Sequence, residues 1–377
     1  MTPVSLKQIP LLDLQAQHKQ IREEVLAEMV RVVDSQKFIL GEDVKKLEGE
    51  IAPYCGAKYA IGCASGSDAL ILALMALEIG PGDEVLTTPY TFFATAGAIS
   101  RVGAVPVFVD VEEETFNIDV KLMEKTLAAH PKIRAMIPVH LFGGCADMDP
   151  IVEMAGERRI PVIEDAAQSI GSEYKGRRAG SIGQIGAFSF FPSKNLGCYG
   201  DGGIMTTNDA ALAERLAALR VHGGKRKYYH EWIGMNSRLD ALQAAVLRVK
   251  LRYLDGWSEG RANNAERYRA ELAKLSVPVA PLTPASYQTR HIYNQFVIRT
   301  EQRDALQAHL KGQGIGTEVY YPIPLHLQPC YAFLGHNPGD FPVSERLAKE
   351  SLALPVHSEL ASEDIDYICE TIRRFYA

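Results

Sequence analysis

Short apolar segments alternate with helical segments through the first half of the chain, and this alternation limits the fold more than any other feature. Strand-like segments at 58–63, 84–87, 105–110, 135–140 and 160–164 are separated by turns and helical stretches. Uniformly apolar strands joined in this way are typical of a mostly parallel sheet with both faces covered. We therefore predict an α/β fold in which helices sandwich a mostly parallel central sheet.

The pattern changes in the last third of the chain. A length of 377 residues favours two domains. A long helix is predicted at 238–257, and beyond it a helix at 261–275 and a strand at 293–299 indicate a smaller α+β domain. We place the domains at 1–255, which includes an N-terminal helical segment, and at 256–377.

Composition excludes several classes of function. The net charge of −6 provides no basic face, so we expect no nucleic-acid partner. No stretch reads as a signal peptide or a membrane span, so we expect no membrane partner. The six cysteines are scattered without a Cys-x-x-Cys pair, which favours reduced thiols in the cytoplasm over disulfides or a metal site.

Several segments follow the predicted strands directly. They are 65–67, 87–93, 140–144 and 165–168. Ligands of open α/β sheets bind beyond the carboxyl ends of the strands. We therefore expect all four segments to face one crevice.

The segment Ala64-Ser-Gly-Ser-Asp68 joins a strand to an apolar helix at 69–79. The free N–H groups and positive end of that helix would bind a phosphate. The alternative is an ordinary helix cap made by Ser67 and Asp68. The segment alone leaves both interpretations open.

Pyridoxal phosphate fits this pattern better than other phosphate-containing cofactors. A dinucleotide site would need Gly-x-Gly-x-x-Gly after the first strand, and the glycines at 197–203 come too late in the chain. Pyridoxal phosphate needs a lysine amine, a carboxylate at its ring nitrogen, donors for its phosphate and a flat face for its ring.

Each of these needs has a candidate. Lys194 lies in an aromatic stretch, where desolvation would free its amine, and Asp165 ends a buried strand. Phe92 or Phe93 could cover the ring. The candidates for the phosphate are Gly66, Ser67 and Ser189. Each residue also has an ordinary alternative, such as a surface lysine, a helix-capping aspartate or a core phenylalanine.

At these residues the chain resembles the DegT/DnrJ/StrS family of pyridoxal-phosphate-dependent sugar aminotransferases, of the fold type I (aspartate aminotransferase) superfamily. The resemblance covers nearly the whole chain. The motifs that carry it include Ser65-Gly-Ser-Asp-Ala-Leu70, Pro89-Tyr-Thr-Phe-Phe-Ala94, Glu164-Asp-Ala-Ala-Gln168, Ser189-Phe-Phe-Pro-Ser-Lys-Asn-Leu196, Gly234-Met-Asn-Ser-Arg-Leu-Asp240 and Tyr321-Pro-Ile-Pro-Leu-His326.

The resemblance implies a role for each cofactor-binding candidate. Lys194 would bind the cofactor covalently and shuttle protons, and Asp165 would pair with the ring nitrogen. Gln168 would hydrogen-bond the phenolic oxygen, and Phe92 would stack on the ring. The phosphate would be held by Gly66, Ser67 and Ser189.

The resemblance also implies a homodimer with shared active sites. Asn236 would reach the phosphate of the partner subunit's cofactor, which makes 221–238 an interface segment. This agrees with the charged and aromatic composition of 221–232, which indicates an exposed excursion. The residues expected near the substrate are Tyr320, Tyr321, His326 and Arg238.

The implied reaction converts a nucleotide-linked keto sugar to the amino sugar, with glutamate as donor and pyridoxamine phosphate as intermediate. Such enzymes serve the biosynthesis of polysaccharide, lipopolysaccharide or antibiotic sugars. The segment 321–326 favours a 3-keto over a 4-keto sugar. Lys194 argues against the dehydratase branch of the family, in which histidine replaces the lysine.

Two positions depart from many relatives. Gly144 stands where they have glutamine, and Tyr320 stands where relatives acting on 3-keto-glucuronate sugars have histidine. Three alternatives remain: an aminotransferase acting on a cyclitol or secondary-metabolite ketone, a non-catalytic regulator with the same fold, and a nicotinamide oxidoreductase. The missing glycine fingerprint disfavours the last.

Overall fold

The computed structural model describes residues 7–377. The helices are α1 (Leu14–Ser35), α2 (Glu42–Tyr54), α3 (Gly66–Ala76), α4 (Ala94–Arg101), α5 (Val120–Ala129), α6 (Met148–Arg158), α7 (Ala210–Leu219), α8 (Ala241–Leu251), α9 (Leu254–Ala273), α10 (Arg303–Gly312), α11 (Pro342–Glu350) and α12 (Ser362–Tyr376). The strands are β1 (Tyr59–Cys63), β2 (Glu84–Thr87), β3 (Val105–Phe108), β4 (Ile133–Met136), β5 (Ile163–Asp165), β6 (Glu173–Tyr174), β7 (Arg177–Arg178), β8 (Ile185–Ser189), β9 (Gly203–Thr207), β10 (Gly224–Arg226), β11 (Tyr229–His230), β12 (Ala280–Pro281), β13 (Phe296–Arg299) and β14 (Ser351–Leu354). Short 3-10 turns lie at Leu141–Gly143, Leu325–Leu327 and Pro329–Leu334.

Strands from the first 207 residues form the central sheet, in the order β3-β2-β4-β5-β8-β9-β1. Parallel bridges from Met136 to Val162 and from Val139 to Asp165 join β4 to β5. Only the two pairings made by β9 are antiparallel. The sheet confirms the predicted α/β fold, and it brings the carboxyl ends of β2, β4, β5 and β8 to one edge.

Helix α3 packs centrally against this sheet. Its residues from Ala69 to Leu74 are all buried, as its nearly continuous apolar sequence requires. The Ser65 side chain caps the helix by accepting a 3.1 Å hydrogen bond from the Asp68 N–H. Burial and capping together fix the helix N-terminus at the carboxyl edge of the sheet.

The last third of the chain forms an antiparallel sheet, β12-β13-β14, with α9, α10 and α12 beside it. Tyr268 of α9 stacks on Phe296 of β13 with ring centroids 4.8 Å apart. Ile9 makes a parallel bridge with Ile315, so the beginning of the described chain pairs with this C-terminal unit.

The prediction of one long helix at 238–257 is wrong, because the structure has two helices there. The N–H groups of Arg252 and Tyr253 bond three residues back, to Val249 and Lys250, and this tight turn ends α8. Helix α9 then runs through residues 255 and 256, where the domain boundary was predicted. The division into two domains stays a prediction.

Candidate active site

A cavity of about 470 Å³ lies at the carboxyl edge of the central sheet. The main sheet contributes residues from the ends of β5 and β8, α3 contributes its N-terminus, and the C-terminal unit contributes Asn294, Gln295, Tyr320 and Tyr321. The cavity therefore lies where the two parts of the chain meet, a common position for a ligand site.

Lys194 lines this cavity and is half-buried. Its backbone N–H donates to the Phe191 carbonyl at 2.8 Å, which fixes the tight turn that carries it. Burial lowers the pKa of the Lys194 ammonium to about 8, although the Asp165 charge acts in the opposite direction. An appreciable fraction of the side chain is therefore the nucleophilic free amine near neutral pH.

Asp165 also lines the cavity and is 5% exposed. The Thr95 hydroxyl donates to its Oδ2 at 2.7 Å, and the Ala167 N–H donates to its Oδ1 at 3.2 Å. Burial raises the pKa of Asp165, and these two hydrogen bonds oppose that rise. The carboxylate is thus poised to accept a cationic partner from the cavity, such as a protonated ring nitrogen.

The N-terminus of α3 forms a cradle in the same cavity. Gly66, Ser67 and Ser189 all line it. The first helical hydrogen bond is made by Ala69, so the N–H groups of Gly66 and Ser67 remain available to a ligand. A Cβ on Gly66 would come within 2.6 Å of the Ser189 Cβ, so this close approach of helix and strand requires glycine.

The cavity also offers an aromatic side chain that could cover a ring, Phe92, and a polar side chain, Gln168. Phe92 lines it and is 56% exposed, whereas Phe93 packs on Tyr331 and lies outside it. Gln168 accepts from the Phe142 N–H at 2.7 Å and donates to the Tyr321 hydroxyl at 2.9 Å. One amide N–H of Gln168 is left for a ligand.

Three of the predicted site residues do not line this cavity. His326 is 2% exposed, lies with its Nε2 3.1 Å from Glu345 Oε1 and packs on Phe341, because its 3-10 turn points it into the protein. Arg238 is half-buried outside the lining. Asn236 is exposed on the segment leading from the β10–β11 hairpin to α8, and its predicted role at a partner's cofactor stays a prediction.

The 140–144 turn also lies behind the cavity rather than in it. His140 is fully buried and lies with its Nε2 2.9 Å from Glu164 Oε2. A Cβ on Gly144 would come within 2.6 Å of the His291 ring and 2.7 Å of the Gln288 amide. These two side chains occupy the space around position 144, which explains why glycine is found there.

Sequence reasoning missed two groups of residues. Thr95, in the first turn of α4, was not predicted; its hydroxyl lies 3.0 Å from that of Thr91, which precedes the helix. Asn294 and Gln295 had no local signal, because the C-terminal unit brings them to the cavity only through the fold.

The arrangement fits pyridoxal phosphate on four independent counts. A lysine of lowered pKa and a buried carboxylate line one cavity with a glycine-dependent anion cradle and an exposed aromatic face. Each count matches one chemical need of that cofactor, which supplies a conjugated electron sink when it is bound.

A family model covers residues 19–373 of the chain. The chain belongs to the DegT/DnrJ/EryC1/StrS aminotransferase family. This confirms the family predicted from the motifs and the prediction of a pyridoxal-phosphate-dependent sugar aminotransferase.

Curated relatives match over nearly their whole length. A "pleiotropic regulatory protein" of Geobacillus stearothermophilus is 51% identical, with 98% of each chain covered. A UDP-N-acetyl-3-dehydro-alpha-D-glucosamine 3-aminotransferase of Acidithiobacillus ferrooxidans is 44% identical, with 97% of each chain covered. Other relatives, 41% to 43% identical, are named as dTDP-3-amino-sugar transaminases or as a UDP-linked 3-oxo-glucuronate aminotransferase.

Solved structures give the same result. DesV of S. venezuelae in complex with a ketimine intermediate superposes with a TM-score of 0.94 at 43% identity, with 98% of each chain covered. NtdA of Bacillus subtilis with bound pyridoxamine phosphate superposes with a TM-score of 0.91 at 29% identity, covering 100% of this chain and 87% of that one. The fold class and the pyridoxal-phosphate cofactor are therefore confirmed. Within residues 7–377, no helix combines the length and apolar character that crossing a membrane requires.

Proposed function

We propose that this aminotransferase transfers an amino group from L-glutamate to carbon 3 of a dTDP- or UDP-linked keto sugar. The observation that carries the proposal is the single cavity in which Lys194, Asp165 and the N-terminus of α3 converge. The names of relatives at 41% to 44% identity support carbon 3 and a nucleotide-linked substrate.

The cofactor would lie between the two ends of this cavity. Gly66, Ser67 and Ser189 would hold its phosphate at the positive end of α3, where N–H donors and the helix dipole favour an anion. The Asp165 carboxylate would accept a hydrogen bond from the protonated ring nitrogen, and Thr95 would orient the carboxylate. Phe92 would cover one ring face.

Lys194 would supply both the attachment point and the proton transfer. Because its pKa is lowered to about 8, its Nζ can accept a proton from the donor carbon and return it at the end of the reaction.

The sugar would occupy the outer part of the cavity. Tyr320 and Gln295 line the cavity and would offer a hydroxyl and an amide group to sugar hydroxyls. His326 is not proposed as a contact, because it is buried against Glu345. A neutral sugar suits these uncharged groups better than a uronate.

We further propose that the enzyme is a cytoplasmic homodimer whose subunits complete each other's sites. The hairpin β10–β11 and the segment after it carry large exposed apolar side chains: Tyr228 is 83% exposed, Tyr229 61% and Ile233 93%. Asn236 and Arg238 follow directly and would be delivered to the partner's cavity. The six free cysteines suit a reducing compartment.

A second candidate is a regulator that keeps the fold, which the name of the Geobacillus relative favours. An aminotransferase acting on a cyclitol or secondary-metabolite ketone is the alternative within the family.

A substrate panel separates these candidates. Enzyme loaded with pyridoxal phosphate is mixed with L-glutamate and then with UDP- and dTDP-linked 3-keto and 4-keto sugars, and amino-sugar formation is followed by mass spectrometry. We expect product from 3-keto sugars. A visible cofactor band that persists with every amino acid tested would favour the regulator. Product only from 4-keto sugars or cyclitols would overturn the proposed substrate.

A further inference from the structure

A lysine that does not line the active-site cavity is more deeply buried than Lys194. Lys250, in the last turn of α8, is 3% exposed, and burial lowers its pKa to about 8, as it does for Lys194. Its Nζ donates a 2.6 Å hydrogen bond to the carbonyl of Gly197 and lies 5.4 Å from the centre of the Tyr199 ring. The contacts of this ammonium are thus a carbonyl and an aromatic face rather than a carboxylate.

The carbonyl that Lys250 holds belongs to the segment that carries Lys194, residues 190–199, which we term the Lys194 loop. This loop is folded tightly on itself: the Cys198 N–H donates to the Phe190 carbonyl at 2.8 Å. A Cβ on Gly197 would lie only 2.3 Å from the Pro192 carbonyl oxygen. Because the loop has so little free space, we expect a displacement of Gly197 to move Lys194 as well.

A second residue of α8 grips the same loop. Gln243 accepts from the Tyr199 N–H at 2.8 Å and donates to the Tyr199 carbonyl at 3.2 Å. Gln243 and Lys250 are seven residues apart, which places them on one face of the helix. One face of α8 therefore holds the loop at two points beyond Lys194.

We propose that Lys250 is a positioning residue for Lys194: with Gln243, it fixes the Lys194 loop to α8 and so holds the Lys194 amine within reach of the cofactor. The inference rests on the proposed function, in which Lys194 is the reactive lysine. Lys250 itself touches neither cofactor nor substrate.

The energetics favour this role over simple stabilisation. Burying an ammonium without a carboxylate partner is unfavourable, and a methionine of similar length could fill the same space without that cost. A residue that served only to stabilise the fold would be better replaced by an apolar side chain. The ammonium does provide a directed donor, which an apolar side chain cannot.

The test compares three variants of the enzyme loaded with pyridoxal phosphate. Lys250→Met removes the donor, Lys250→Arg retains one, and Lys311→Met removes an exposed lysine of α10 as a control. The measurements are the single-turnover rate with saturating L-glutamate, the pH dependence of the visible cofactor band and the thermal unfolding midpoint.

We expect Lys250→Met to lower the single-turnover rate about ten-fold or more, since a misplacement of about 1 Å in a reacting group can cost about a hundred-fold. Its pH profile should shift, while its unfolding midpoint stays close to that of Lys311→Met. Lys250→Arg should recover most of the rate. A rate and pH profile equal to those of Lys311→Met would overturn the proposal, as would a rate loss matched by destabilisation and not recovered in Lys250→Arg.

A failure of the proposed function would look different, because wild-type enzyme would then show no turnover with any amino acid. Should Lys250→Met fail to fold, Gln243→Met tests the other attachment of the Lys194 loop to α8, the hydrogen bonds between Gln243 and the Tyr199 backbone. A lowered single-turnover rate with an unchanged unfolding midpoint supports the proposal, and an unchanged rate overturns it.

Discussion

The hydrogen bond from Thr95 to Asp165 bears on the charge of the predicted partner of the ring nitrogen. Burial raises the pKa of Asp165, and the Thr95 hydroxyl is the first group that opposes the rise. Without it, a larger fraction of the carboxyl would be protonated and unable to stabilise a positive ring nitrogen.

Replacement of Thr95 by valine should therefore impair the enzyme without changing its shape. A hydrogen bond to a charged group contributes about 1.5–3 kcal/mol, so we expect kcat/KM to fall roughly ten- to a hundred-fold. The control is Thr126→Val, which removes a hydroxyl that donates to the Leu122 carbonyl on α5, far from the cavity in the fold. Steady-state kinetics with equal activity in both variants would show that Thr95 does not support Asp165.

At this scale the sequence allowed prediction of the groups that sit in local motifs. Asp165 and Ser189 end strands, Gly66 and Lys194 come shortly after strands, and the structure brings all four to the cavity. His326 was expected there and is instead buried against Glu345, because the direction of a side chain in an irregular loop is decided by packing that the sequence does not reveal.

At the scale of elements, the predicted phosphate site depends on the contact between α3 and β8. The first residue of α3 lies so close to Ser189 that any side chain would force the helix away from the strand. The helix cannot move easily, since most of its surface is buried.

Gly66→Ala should therefore weaken cofactor binding. The added Cβ would overlap the Ser189 Cβ at 2.6 Å, so the N–H groups of α3 must shift away from the phosphate. We expect the Kd for pyridoxal phosphate, measured by titrating apoenzyme, to rise at least about ten-fold, in line with the roughly 1–3 kcal/mol typical of overpacking. Gly49→Ala in α2 is the matched control, because nothing lies within 4 Å of its added Cβ. An equal Kd for both variants would contradict the assignment of the cradle.

The elements themselves were predicted unevenly. Periodicity and strand–helix alternation identified the central sheet, because these patterns follow directly from burial. The break between α8 and α9 carries no glycine or proline at Arg252 or Tyr253, so no local signal marked it. Tyr253, the residue before α9, stacks on Trp257 in the first turn of that helix with ring centroids 5.8 Å apart.

At the scale of the whole molecule, a buried histidine links stability to pH. His291 is 8% exposed, lies between the two parts of the chain near Gly144, and accepts a 3.1 Å hydrogen bond from the Tyr293 N–H. Burial, with the charge of Arg269, lowers the pKa of His291 to about 3. Below about pH 6.5, the unfolded chain therefore binds a proton at His291 that the folded chain does not bind.

The stabilisation from neutral His291 is complete above about pH 6.5 and is lost as the pH falls towards 3. We expect His291→Asn, which keeps an acceptor for the Tyr293 N–H, to flatten the acid branch of the stability curve by up to about 1.4 kcal/mol per pH unit. Urea unfolding of both proteins between pH 7 and pH 5 measures the difference. Parallel curves for the two proteins would show that another group controls the acid response.

Whole-molecule features beyond the fold were the least accessible from sequence. The meeting of the C-terminal unit with the sheet places Asn294 and Gln295 in the cavity, and no spacing in the sequence connects them to Lys194. The pairing of Ile9 with Ile315 likewise joins segments about 300 residues apart in a chain of 377. Such contacts depend on topology rather than on local pattern.

The central claim is that Lys194 is the lysine that holds the cofactor. Lys250 is an alternative candidate, because it is buried and its pKa, like that of Lys194, is lowered to about 8. Borohydride reduction of the enzyme loaded with pyridoxal phosphate, followed by peptide mass spectrometry, identifies the modified lysine directly. We predict that the phosphopyridoxyl mass is found on the peptide containing Lys194 and is absent from the peptide containing Lys250. Modification of Lys250, or of no lysine, would contradict the account.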